Sequence, residues 1–335
     1  MDDATRETVD GSTPTPEEPS RRPTHGDRRK ERIDSLASAG AVDDEPGKSL
    51  LRSAWERLRR NPVFLIGAAI TIAFVILAII SPWIAPWDVT DRPLLDKVRP
   101  QSNPVPGPEP GHLLGADDRG RDLFSRLLVG SRQTLIVGVF ATLFGLLGGI
   151  TLGALAGAIG GFVDSVVMRI VDVMLSFPAL LLAFTIASLA REPSQWTLIV
   201  AIATTQVPIF ARLLRGSMLA QRSSDHVLAA RSLGVRPRAI VFRHMLPNAM
   251  GPVIVQATLS LATAIIEAAA LSFLGLGNPD QRQPEWGQML GSAQRYISEA
   301  PHLAFYPAGC IIVVALGFTL MGESLREALD PKSRR

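Results

Sequence analysis

Cysteine is almost absent from this sequence, which has a single one, Cys310, among 335 residues. A lone thiol cannot close a disulfide within the chain, so the fold does not depend on a disulfide framework. Aromatic residues make up only 6% of the composition, and the five histidines are scattered without the spacing of metal ligands. These scarcities argue against a disulfide-stapled secreted domain and against a metal site within the chain.

The sequence also lacks a phosphate-binding loop. Its one Gly-Lys-Ser stretch, residues 47–49, has Val42 where such a loop needs another glycine, and the acidic residues 43–45 would repel phosphate. No nucleophile elbow suggests a Ser/His/Asp set either. We therefore expect no catalytic residue, no cofactor bound by this chain and no ATP hydrolysis by it.

Long apolar runs, in contrast, are abundant. Runs of about 18 or more apolar residues separated by charged loops are typical of membrane-spanning helices. The sequence therefore predicts an all-α, polytopic membrane protein with six transmembrane helices. The predicted spans cover about residues 63–81, 134–159, 166–190, 196–214, 250–271 and 303–321.

The distribution of charge predicts the orientation of these spans. Arginines flank the start of the first span, at residues 52–60, and seven arginines against one aspartate lie between spans four and five. Positively charged flanks and short loops stay in the cytoplasm, whereas a long loop such as 82–132 translocates largely regardless of its charge. We expect both termini to be cytoplasmic, with loop 82–132 and the loop after span five outside.

Glycines recur every four residues in the second span, at Gly145, Gly149, Gly153 and Gly157, and again at Gly161. On a helix this spacing gives a strip without side chains, against which a neighbouring helix can pack closely. The strip serves either static packing or a helix that slides or hinges against its partner.

The basic loop between spans four and five has its own local structure. Asp225 is a candidate N-cap for a short helix from His226 to about Leu233, and Gly234 suits the left-handed stop position. Pro237 suits the first turn of a second helix, which we expect to end before Pro247. Such a basic helix–turn–helix segment is either a docking element for a cytoplasmic partner or an ordinary amphipathic connector.

This loop resembles the EAA loop of ABC importer permeases, in which Glu-Ala-Ala is followed by a glycine and then by Leu-Pro. The matching residues are Ala229, Ala230, Arg231, Ser232, Leu233, Gly234, Leu246 and Pro247. The resemblance implies that the short helix is a coupling helix seated in a groove of the ATPase subunit. Leu228 stands where the motif has its leading glutamate, so no salt bridge from that position is expected.

Four further stretches resemble the second permease subunit of the dipeptide/oligopeptide/nickel type. They are residues 112–122, residues 164–178, residues 267–277 and residues 322–331. The second stretch contains Asp164, Met168 with Arg169, Asp172, and Phe177 with Pro178. The resemblance covers about residues 51–333 and implies a type I ABC importer transmembrane domain. It predicts a first helix and extracytoplasmic loop at 51–130, the transporter domain at 131–325 and a cytoplasmic tail at 326–335. Residues 1–50 are predicted to be a disordered cytoplasmic tail.

Three features of these stretches have a physical reading of their own. Arg169 and Asp172 are three residues apart on one helix face and are expected to pair. Pro178 breaks the helical hydrogen-bond ladder and is expected to kink the third span, either as simple bending or as part of a gate. Glu267 lies in an apolar helix, where an ionisable residue is a functional candidate. It could contact substrate, bond a neighbouring subunit or lie near the outer surface.

The resemblance implies a set of partners in the cell's inner membrane. These are a second, homologous permease, two ATP-binding subunits that hold ATP and Mg²⁺, an extracytoplasmic substrate-binding protein, the peptide substrate and membrane lipid, with no nucleic acid. Two rival hypotheses remain. An ion-driven secondary transporter predicts charged relay residues and inverted repeats, and a membrane anchor or sensor predicts that residues 1–48 are the effector.

Overall fold

The computed structural model describes residues 55–99 and 102–329, and this part of the chain contains helices and isolated bridges but no strand. The predicted tail at 1–50 and residues 330–335 lie outside it. The helices are α1 (Pro62–Ile84), α2 (Leu123–Ile159), α3 (Gly161–Ser176), α4 (Ala179–Ser188), α5 (Gln195–Arg222), α6 (Asp225–Ser232), α7 (Pro237–Phe273), α8 (Trp286–Ala293) and α9 (His302–Leu329). Because α9 continues to Leu329, the predicted tail from residue 326 begins inside a helix.

Five of these helices, α1, α2, α5, α7 and α9, are long and apolar enough to cross a membrane. The predicted third span is instead two helices, α3 and α4, that meet at an angle of 94°. The described part of the chain therefore has six candidate spans if this bent pair is one of them.

Local capping explains where the spans begin. The Asn61 side chain accepts hydrogen bonds from two backbone N–H groups of the first turn of α1, and Pro62 occupies the first helical position. Asp122 accepts the Ser125 N–H at 2.8 Å, so α2 begins eleven residues before the predicted Thr134. The predicted start lay too far along the chain because these eleven residues include buried polar side chains, which an apolar run does not contain.

Helices α2 and α5 pack along most of their length, and α7 lies against both; α9 packs on α7 and α1. Three large apolar clusters fill the interior, and a small one joins Leu58 to Ala328. The first joins α1, α2, α7, α8 and α9 around Phe74 and Trp286, the second joins α2, α4, α5 and α7, and the third joins α5, α6 and α7 around Phe210.

The two ends of the bundle differ. The α6 end carries α6 and the turn into α7, whereas the α8 end carries the long loop 85–122 and the segment 274–301 with α8. Between them, large apolar side chains are exposed, among them Ile66, Ile72, Ile79 and Ile312. Contiguous exposed apolar surface of this kind suits contact with lipid or another membrane subunit.

Candidate functional site

Helix α6 ends in the tight stop that the sequence predicts. Gly234 has φ +72°, its N–H donates to the Arg231 carbonyl at 2.9 Å, and the Val235 N–H donates to the Ala230 carbonyl at 3.1 Å. These two bonds form a Schellman motif, which needs a residue that tolerates positive φ. Pro237 begins α7, as predicted. The chain therefore reverses sharply between α6 and α7.

The predicted N-cap of α6 is wrong by one residue. Ser224 precedes the helix, Asp225 is its first residue, and no side chain caps it. Asp225 is exposed and places its negative charge in the first turn, where it complements the helix dipole.

The second helix of the loop does not end before Pro247, contrary to prediction. It passes through a π-helical stretch, Ile240–Met245, and continues through Leu246 and Pro247 into the span. Proline lacks an N–H and interrupts the helical ladder, and a π-helical stretch can absorb such an interruption without ending the helix. The turn and the span are therefore one continuous element.

Helix α6 is seated on the body of the protein by one face only. Val227 and Ala230 are buried against Ile240, Met245 and the α5 side chain Met218. The opposite face is open. Its exposed residues are Leu228, Ala229, Arg231, Ser232, Leu233 and Gly234, with Phe242 beside them on α7.

The open face combines apolar and positively charged groups. Leu228 is 45% exposed, Leu233 83% and Phe242 65%, and the exposed Arg231, Arg236 and Arg243 lie on the same stretch of chain. Apolar side chains at this exposure are costly in water unless something covers them. We name Leu228, Leu233, Phe242 and the adjoining arginines the α6 face.

The glycine strip of α2 lies directly on α5. A Cβ atom at Gly149 would lie 2.3 Å from the Phe210 Cβ atom, and one at Gly153 would lie 2.6 Å from the Ala211 carbonyl oxygen. Gly145 and Gly157 are in the same contact, against Gln206 and Met218. Gly161 is outside the strip because α2 ends at Ile159. The arrangement is close packing of two spans.

Ion pairs tie the bent segment to α5. Asp164 of α3 pairs with Arg215, and Asp172 pairs with Arg212. The predicted Arg169–Asp172 pair is not formed, since Arg169 is exposed and Asp172 faces α5 instead. Sequence spacing identified the carboxylate but not its partner, because helix rotation decides which neighbour it meets.

Pro178 stands at the bend, as predicted. It is the cap before α4, and α3 ends at Ser176 with Phe177 as its C-cap. A span interrupted here leaves backbone groups without helical partners, which is tolerated in a membrane only where protein or a water-filled path receives them. The bend is thus compatible with a pathway wall.

Glu267 lies half-buried between α7 and α5. Its Oε2 atom is 3.3 Å from Thr205 Oγ1. No cation of the described residues pairs with it. Glu267 thus lies in a contact between two helices of the chain itself, toward the α8 end of α7, and the three alternatives for its role stay predictions.

A buried polar network, which the sequence did not reveal, holds the α8 end together. Asp117 accepts hydrogen bonds from Arg121, whose Nη1 donates to Gln281 at 2.6 Å. The Arg126 Nη1 group donates to the Gln281 carbonyl at 3.2 Å. These bonds join loop 85–122 to the segment after α7. Burial, and then the nearby Asp117 charge, raises the pKa of Asp118.

Trp286 and Glu285 anchor the start of α8. The Trp286 indole donates to the Leu127 carbonyl at 2.9 Å, and Ser272 donates to Glu285 Oε2 at 2.5 Å. Glu285 is buried and pairs with no cation among the described residues. Its burial raises its pKa to about 7.

Comparison with known proteins agrees with this architecture. Residues 149–335 match the family described as binding-protein-dependent transport system inner membrane component, and residues 49–103 match the N-terminal TM domain of oligopeptide transport permease C. The dipeptide transport system permease protein DppC of Alkalihalophilus pseudofirmus is 41% identical over 283 residues, covering 84% of this chain and 90% of that protein.

Two further comparisons point the same way. The glutathione transport system permease protein GsiD of Salmonella typhimurium is 42% identical, covering 84% of this chain and 90% of its own length. Among solved structures, an inward-facing MetNI methionine ABC transporter matches with a TM-score of 0.51 at 21% identity, over 61% of this chain and 96% of that one. The chain therefore belongs to the binding-protein-dependent transport system inner membrane components, as a multi-pass, non-catalytic permease subunit of an ABC importer.

Proposed function

We propose that this chain forms one half of a peptide translocation pathway and receives the energy for transport through α6. Its partners would be a second permease, two ATPase subunits and an extracytoplasmic binding protein. ATP and Mg²⁺ would be held by the ATPases, and lipid would cover the exposed apolar faces. Dipeptides and oligopeptides are the proposed substrates, on the strength of relatives named for dipeptide and glutathione transport.

The α6 face is the observation that carries the coupling role. Helix α6 packs on the protein through Val227 and Ala230 on one side, and on the other side it presents the apolar and basic residues of the α6 face. A protruding helix of this kind fits into a groove of a partner, which would cover Leu233 and Phe242. Leu228 offers an apolar contact where related loops have a glutamate, so the interaction at that position would be packing rather than a salt bridge.

The orientation follows from where the arginines lie. Arg212, Arg215, Arg222, Arg231 and Arg236 all stand at the α6 end of the bundle. Positively charged segments near spans are retained in the cytoplasm, which would put α6 within reach of the ATPases and both termini inside. The α8 end would then face the binding protein, and the bent α3–α4 segment and Glu267 would lie beside the pathway.

The test replaces Gly234 with valine in the transporter assembled with its permease, ATPase and binding-protein partners. A β-branched residue at φ +72° is strained by about 1–3 kcal/mol, so the turn should rearrange and α6 should shift. Peptide-stimulated ATP hydrolysis should fall at least about tenfold, which corresponds to about 1.4 kcal/mol.

Gly275 provides the matched control. It has φ +86° and open space around it, as Gly234 does, but it lies at the α8 end. Gly275→Val should carry the same local strain, and both variants should elute as monodisperse complexes with basal ATP hydrolysis intact, which separates a loss of coupling from a loss of folding. Full stimulation in Gly234→Val would contradict the coupling role.

A further inference from the structure

A cavity of about 390 Å³ opens at the α8 end, and none of the Asp117-network residues Asp117, Arg121, Arg126 and Gln281 lines it. It lies between the part of α2 that runs from Val129 to Phe140, the start of α5 and the segment after α7. The volume falls within the range of about 300–1,000 Å³ that small-molecule sites occupy. Its lining residues are Val129, Arg132, Gln133, Ile136, Phe140, Gln195, Trp196, Ile199, Arg282 and Gln283.

The charge of this cavity is positive. Arg132 is exposed and forms no ion pair or hydrogen bond with any residue that the structure describes. Arg282 also lines the cavity, but it already pairs with Asp280 at 3.0 Å. No acidic side chain is among the lining residues. Arg132 is therefore a cation with its hydrogen-bond donors available to a ligand.

Amide side chains supply further donors beside Arg132. Gln195 Nε2 donates to Gln133 Oε1 at 3.0 Å, an arrangement that orients both amides across the α2–α5 contact. The Gln133 amide nitrogen then remains free to donate. A guanidinium and an amide donor lining one cavity suit a carboxylate, which accepts several hydrogen bonds at once.

The remaining wall is aromatic. Trp196 is 60% exposed, and its ring centroid lies 6.1 Å from that of Phe140 and 6.4 Å from that of Phe144. Exposed rings of this kind provide contact area for an apolar side chain at small entropic cost. The lining of the cavity thus combines hydrogen-bond donors with aromatic surface.

We propose that this cavity binds the C-terminal carboxylate of a peptide, with Arg132 and Gln133 holding the carboxylate and Trp196 contacting the adjacent side chain. This inference rests on the proposed peptide transport. The inference adds to the proposed transport function that the permease itself prefers peptides with a free C-terminal carboxylate, independently of the binding protein.

Equilibrium binding tests this without ATP turnover. The transporter, assembled in nanodiscs of zwitterionic phosphatidylcholine and without binding protein, is titrated with a radiolabelled dipeptide and with the C-terminal amide of the same dipeptide. A charge-assisted bond is worth about 1.5–3 kcal/mol, so the free acid should bind at least about tenfold more tightly than the amide. Arg132→Gln should abolish the difference, and Arg132→Lys should restore part of it.

Arg191→Gln is the control, since Arg191 is exposed in the loop between α4 and α5 and does not line the cavity. It should keep the preference for the acid. Absence of saturable dipeptide binding, or an Arg132→Gln variant that keeps the preference, would overturn the proposal. Displacement of the dipeptide by phosphatidylglycerol added to the nanodiscs would also overturn it, because the anion bound there would be a lipid headgroup. None of these results bears on α6, so the proposed coupling could stand while this site failed.

Discussion

At the scale of single residues, Glu285 is a buried carboxyl group that forms no ion pair with the described residues. It is buried among α7 and α8, and only hydrogen bonds from Ser272 and the Gly287 N–H approach it. These bonds favour the carboxylate, but burial dominates and favours the neutral acid. In the folded protein the side chain therefore holds its proton at a pH where an exposed glutamate has lost it.

The stability of the α8 end should consequently depend on pH. The pKa of Glu285 rises from an ordinary value of 4.5 to about 7, so between these values the folded state binds a proton that the unfolded state has released. Stability is then highest below pH 4.5 and falls as pH rises through 7. Glu285→Gln should remove this dependence, seen as a flatter profile of melting temperature against pH for the solubilised transporter.

Glu299→Gln is a suitable comparison, because Glu299 is exposed on the same segment. It should leave the slope of the wild type unchanged. A Glu285→Gln profile as steep as that of the wild type would show that another group titrates.

At the scale of elements, the contact between α2 and α5 depends on the absence of side chains along the glycine strip. At Gly149 an added methyl group would meet Phe210 Cβ and the Val207 carbonyl, neither of which can move without the helix. Overpacking of this kind costs about 1–3 kcal/mol. Gly149→Ala should therefore lower the melting temperature of the solubilised transporter.

The matched change is Gly216→Ala on α5, where nothing lies within 4 Å of the added atom. Alanine is the better helix former, so this variant should be neutral or slightly more stable. Equal losses in both variants would mean that the strip does not determine the contact.

The sequence predicts elements whose causes are local, and the structure agrees at those points. Apolar runs place α1 and α9 because burial in lipid requires them, and Gly234 marks its turn because few other residues accept positive φ. The first turns of α2 were missed, since Arg126 is buried there by bonds to Val89 and Gln281, residues distant in sequence.

The same limit applies to the candidate sites. The glycine strip was visible from spacing, whereas the pairs Asp164–Arg215 and Asp172–Arg212 depend on how α3 turns toward α5. The α8-end cavity brings together Gln133 and Gln195, which are 62 positions apart. No local pattern encodes such a meeting.

At the scale of the whole molecule, the orientation across the membrane is open to a direct experiment. The chain has one cysteine, so a Cys310→Ser background allows single cysteines to be placed at will. Asp91→Cys, exposed in the long loop, should react with a membrane-impermeant maleimide in intact cells. Ser232→Cys, exposed on α6, should react only after the cells are permeabilised.

The cysteine-free parent gives the background signal for both. Labelling of Ser232→Cys in intact cells, with Asp91→Cys protected, would reverse the proposed topology and remove α6 from the reach of ATPases.

The backbone contact along α5 has a mechanical consequence. This helix has 28 residues, a length of about 42 Å at about 1.5 Å per residue. It joins α6 directly at one end and carries Trp196 at the other, and α2 packs against it through glycines that contribute no side chain to the contact. Pro208 lies inside the helix and interrupts its hydrogen-bond ladder. Under the proposed coupling, a displacement of α6 would reach the cavity beside Trp196 through this helix, together with any bend at Pro208. Nucleotide state on one side of the membrane would then set the shape of the opening on the other.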